Sequence, residues 1–97
     1  MPSFVILGNW TDQGIRDIAA APERVKAIHS MVEKSKGTMQ MFYTLGKYDF
    51  MMLIEVPGDD AIMEIVLCLG SMGSIRTMTL KAWTEAEAAT ILTAPHP

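Results

Sequence analysis

The stretch Leu45-Gly46-Lys47-Tyr48-Asp49-Phe50 restricts the possible folds more than any other, because it joins two apolar runs with almost no chain to spare. Upstream, Met39-Gln40-Met41-Phe42-Tyr43-Thr44 reads as a strand, and downstream Phe50-Met51-Met52-Leu53-Ile54-Glu55-Val56 reads as another. Strands joined this closely must pair antiparallel, since a parallel return needs a crossover of a dozen residues or more. Gly46 is the residue of the turn that takes positive φ without steric cost.

Around this hairpin the chain supplies two more strands and two helices. Ser3 to Trp10 is apolar on both alternating faces, which suits a strand covered on both sides. Thr11-Asp12-Gln13-Gly14 ends it as a turn, and Ile15 to Ile18 has room for one helical turn. Pro22 sits at a first-turn position, after which Val25, Ile28, His29 and Val32 recur on one helical face. Lys34, Lys36 and Gly37 provide a cationic last turn and a stop. After Pro57-Gly58, Asp59 or Asp60 is placed to cap a second helix from Ala61 to about Met72. Its main stripe is Ile62, Ile65, Val66 and Leu69. Met63, Leu67 and Cys68 widen that stripe so far that the helix needs cover on more than one side, with Cys68 expected in the core. Gly70 and Gly73 close it. Ser74 to Trp83 follows as the fourth strand, Glu85 to Leu92 as a short terminal helix, and Thr93 to Pro97 as a fraying tail.

The order β-α-β-β-α-β predicts an α+β fold of ferredoxin-like type, a four-stranded antiparallel sheet with both helices on one face. We take residues 1–97 as a single domain with its core at about 3–83 and a C-terminal extension at 84–97. The sheet's other face cannot be polar: register decides only whether it shows Phe4, Ile6 and Trp10 or Val5 and Leu7. Nine methionines and a hydrophobic share of 49% also exceed what so small a core absorbs. A sheet apolar on its uncovered face calls for a partner, and stacking two copies in a homodimer or higher oligomer is the simplest answer.

Composition also excludes. A net charge of -3 with scattered lysines and arginines gives no basic stripe for nucleic acid. No apolar run approaches the ~20 residues of a membrane helix, and no signal sequence opens the chain. One cysteine allows no internal disulfide, so a cytoplasmic location is expected.

Three blocks then line up with a known family: Asn9-Trp10-Thr11-Asp12-Gln13-Gly14, Gly46-Lys47-Tyr48-Asp49-Phe50, and Ile75 to Trp83. Together they resemble the GYD-domain proteins, whose Gly-Tyr-Asp signature is interrupted here by Lys47 while Tyr48-Asp49 stay adjacent. The resemblance implies a dimeric α+β barrel, in which two ferredoxin-like subunits pack sheet on sheet. It implies little about activity.

Candidate residues each admit a chemical and a structural reading. His29, on the helix stripe that faces the sheet, is placed to serve as a general base or, as the one cofactor alternative, to bind haem iron; otherwise it is a hydrogen-bonded histidine at the core edge. No other cofactor is expected. Asn9, Trp10, Asp12 and Gln13 form a polar and aromatic cluster suited to gripping a ligand, or else Asp12 caps local amides and Trp10 fills the core. Tyr48 and Asp49 should point to opposite faces, with Asp49 either positioning a substrate proton or pairing with Arg76, the latter favoured. His96 is no metal site by itself, and no Cys or His spacing resembles a zinc site. Two functional expectations follow. One is a site for a small apolar or aromatic molecule, floored by Asn9, Trp10, Phe42 and Met52 with His29 above, cofactor-free if it is catalytic. The other is an oligomerising or ligand-sensing module without chemistry.

Overall fold

The computed structural model describes residues 1–95; His96 lies outside them. The elements run β1 (Ser3–Trp10), α1 (Asp12–Arg16), a 3-10 turn (Ile18–Ala20), α2 (Ala21–Lys34), β2 (Thr38–Tyr43), β3 (Phe50–Glu55), α3 (Asp59–Ser71), β4 (Ile75–Ala82) and α4 (Glu85–Thr93). All strand pairs are antiparallel, in the order β2-β3-β1-β4. This is the expected ferredoxin-like α+β sheet.

Register settles which face is covered. Phe4 lies opposite Ile54 and Ile6 opposite Met52, so these side chains share one face with Phe50. All five are buried beneath Ile28 and Val32 of α2 and Ile62, Ile65 and Leu69 of α3. The middle of this face requires Gly8, because a Cβ there would overlap the ring of Phe50. Val5 and Leu7 therefore take the other face, alongside Phe42, Leu53, Met78 and Leu80. Nothing in the described chain covers it. The last four are 37–50% exposed.

Several local expectations give way to different solutions. Residues 11–14 do not simply turn: Thr11 caps α1, its hydroxyl accepting from the Gly14 amide at 3.1 Å and donating to the Gly73 carbonyl at 2.7 Å. Asp12 is an exposed first-turn residue with no capping role. After α2 the left-handed residue is Lys36, at φ 62°, rather than Gly37. Gly37 is required for space, since a Cβ there would strike the Glu55 carbonyl. Gly58 holds the cap position of α3, and Asp59 instead sits in the first turn, 3.3 Å from Lys81. There its charge also favours the positive helix end.

Cys68 is exposed, not in the core. Ile62, Ile65 and Leu69 set the buried stripe, and Cys68 is turned about 100° from Leu69 around the helix axis. Met63 and Leu67 stay 61% and 65% exposed, so within one chain α3 is covered on a single side. Helix α4 is well started by a reciprocal cap: the Thr84 amide donates to Glu87 Oε1 at 2.8 Å and the Glu87 amide to Thr84 Oγ1 at 3.1 Å. Yet it buries no residue. The molecule is elongated in consequence, 53 × 31 × 18 Å with a radius of gyration of 15.0 Å, against about 12–13 Å for a compact chain this long. Among the described residues no helix is long and apolar enough to cross a membrane.

Candidate functional site

The blocks singled out in the sequence meet where β1 ends. Asp49 enters β3 with its amide donating to the Gly8 carbonyl at 2.8 Å, which ties the hairpin loop to β1. Its carboxylate Oδ2 accepts from the Trp10 amide at 2.9 Å and from Asn9 Nδ2 at 3.4 Å. Asn9 Nδ2 also donates to the Lys47 carbonyl at 2.9 Å. Within the loop the Thr44 amide donates to the Asp49 carbonyl and the Thr44 hydroxyl to the Tyr48 carbonyl. These hydrogen bonds of Asn9 and Asp49 hold two chain segments together.

Asp49 does not pair with Arg76. Among the described residues the ion pairs are Arg24–Asp17, Lys26–Glu23 and Lys81–Asp59. Arg76 lies opposite Asn9 in the β1–β4 register and is exposed. The Trp10 amide already supplies the donor that the Asp49 carboxylate needs, so the cation is free to face solvent.

Trp10 is the hub of the corner. Its ring stands 5.1 Å from that of Phe50 and 6.3 Å from that of Tyr43, both tilted. On one side it lines an open groove of about 410 Å³ with Ile18, Pro22, Tyr43 and Asp49. On the other it borders a shallow polar groove of about 530 Å³ formed with Asn9, Thr11, Gln13 and Arg76. Directly beneath, between α2 and the sheet, the free space is only about 10 Å³, no more than one water occupies. Met41, Met72 and Phe50 fill it.

The remaining candidates scatter. Met52 is fully buried on the helix face, whereas Phe42 stands on the open face, so the two do not share a floor. Tyr48 also turns to the open side, its hydroxyl 3.9 Å from Met78 Sδ. His29 is half-buried on α2 and lines none of these grooves. Ile18, Pro22 and Tyr43 carry no sequence signal that links them to Trp10, since they meet it only through the fold. No group of three or more His, Cys, Asp or Glu residues capable of holding a metal occurs among the described residues.

A third groove, of about 320 Å³, lies at the Ser3 end of the open face, floored by Val5, Gln40 and Leu53 and walled by Trp83. The open face itself carries exposed Phe42, Leu53, Met78 and Leu80.

Comparison with known proteins adds the family. The GYD domain family matches residues 4–92. A protein of Thermus thermophilus, "Glutamine synthetase and cystathionine beta-lyase binding protein", is 34% identical over 89 residues, 90% of this chain and 94% of that protein. Among solved structures, FFRP-DM1 superposes with a TM-score of 0.62 at 16% identity over 86% of this chain and all of that one. TTHA0845, also of Thermus thermophilus, does so with a TM-score of 0.57 at 19% identity, over 86% of this chain and 94% of that one. At those identities the structural likenesses establish the fold.

Proposed function

The chain belongs to the GYD domain family, and from that premise we propose that it acts by binding proteins. Two copies stack their open sheet faces as a dimeric α+β barrel, and the dimer offers the outer face of α3 to a partner. The observation that carries this reading is the contrast between the two sheet faces: the helix-side residues of the sheet are buried in the core, while Phe42, Leu53, Met78 and Leu80 are left in water. A contiguous exposed apolar patch of this kind often marks an interaction surface. With the sheet faces stacked, Met63 and Leu67 of α3 remain as the next apolar surface, beside Asp60 and Glu64. The name of the Thermus thermophilus relative, a binding protein for two enzymes, supports a role of this class.

The test has two stages. Sedimentation equilibrium at micromolar concentration should find a dimer for the native chain and a folded monomer for Leu53→Lys; a native monomer counts against the proposal. Calorimetric titration with purified glutamine synthetase and cystathionine β-lyase should then show binding that Leu67→Asp weakens at least tenfold. Binding unchanged by Leu67→Asp would remove α3 from the partner surface.

A second reading rests on the groove beside Trp10, Pro22 and Tyr43, whose volume of about 410 Å³ and aromatic wall suit a small apolar or aromatic molecule. It predicts that such a ligand quenches Trp10 fluorescence and that Tyr43→Ala abolishes the effect.

A further inference from the structure

We infer that α4 is an intersubunit arm: it leaves its own subunit and sets Ile91 and Leu92 into the groove at the Ser3 end of the second copy's open sheet face. The inference rests on the dimer proposed above and assigns its C-terminal helix a place.

The helix itself supplies the first argument. Its nine residues fall short of the roughly 12–15 that hold a helix in water unaided, so the cap at Thr84 and Glu87 needs help from packing. Its only charges are Glu85 and Glu87 in the first turn. From Ala88 onward the surface is apolar apart from threonines, with Ile91 53% and Leu92 74% exposed. None of its residues is buried within its own chain.

The second argument is placement. Trp83 and the capping Thr84, the last two residues before the arm, line the 320 Å³ groove, yet no residue of α4 itself does. The molecule's long axis of 53 Å is about twice the span of an eight-residue strand, so the chain extends well beyond its sheet. The arm starts at a seat it does not fill. Under a two-fold axis each copy has one such arm and one such seat, so exchange satisfies both.

Area provides the third argument. Four strands about 4.8 Å apart and some six residues long present a face of roughly 400 Å², short of the ~800 Å² per partner typical of stable interfaces. A helix of this length and about 10 Å diameter adds roughly 200 Å² of its own side, its seat on Val5, Gln40 and Leu53 being part of the face already counted. The arm therefore brings each subunit to roughly 600 Å², supplying about half of what the stacked sheets alone lack.

The experiment combines affinity with a covalent reporter, in full-length protein. Ile91→Asp with Leu92→Asp alters a surface that buries nothing, so the subunit fold should be retained, as checked by circular dichroism. Sedimentation equilibrium should show the dimer dissociation constant raised at least tenfold. In a Cys68→Ser background, Gln40→Cys with Ile91→Cys should form a disulfide under mild oxidation that joins two chains on a non-reducing gel. An unchanged dissociation constant, or a disulfide closed within one chain, overturns the arm while leaving the stacked sheets standing. A native chain that stays monomeric instead overturns the dimer on which the arm depends.

Discussion

Asp49 holds the end of β1 with one carboxylate oxygen that accepts from both the Trp10 amide and the Asn9 side chain. The adjacent Tyr48 contributes little of this, since its side chain turns to the open face. Replacing Asp49 by Ala leaves the half-buried Trp10 amide without its acceptor, which should cost about 1–3 kcal/mol. Asp49→Asn keeps an acceptor and should lose less. Urea unfolding midpoints would check both, and an Asp49→Ala midpoint equal to the native one would show that the carboxylate does not hold the strand end.

At the scale of the element, α4 depends on a cap that titrates. The Thr84 amide, donating to the Glu87 carboxylate, holds that group below the ordinary glutamate range, with the Thr84 hydroxyl contact acting in the same direction. A lowered folded pKa means that the unfolded helix binds the proton more readily. The stabilisation is therefore present above the ordinary glutamate pKa and is lost as pH falls through the lowered folded value. Followed by NMR, the Thr84 amide proton should shift upfield across that window as α4 loses helical chemical shifts. A Thr84 amide that does not respond to pH would mean the capping bond is absent in solution.

For the whole molecule, the proposed stacking of apolar sheet faces ties folding to association. If two copies stack, the melting temperature should rise with protein concentration, by about 3 °C per tenfold. The Leu53→Lys variant should melt at one temperature throughout the same range. A native chain whose melting temperature is likewise independent of concentration would argue that the open face stays in water. Its elongated shape points the same way as the apolar face, since both that face and α4 lack cover within one chain.

The strand and helix order was legible because hydrophobic period, glycines and prolines are local signals. The hairpin at residues 44–49, the helices near Pro22 and Asp59, and the apolar character of both sheet faces are all written in short windows of the chain. The family signature was legible for the same reason, being three short blocks. What needed the tertiary structure depends on which distant residues meet. Register put Val5 and Leu7, not Phe4 and Ile6, on the open side, because Gly8 makes room for Phe50 under the helices. Three-dimensional proximity gave Asp49 to the Trp10 amide instead of Arg76, and separated Phe42 from Met52. Cys68 left the core because helix rotation is set by what the other side of the stripe packs against, a constraint the helix's own sequence does not contain.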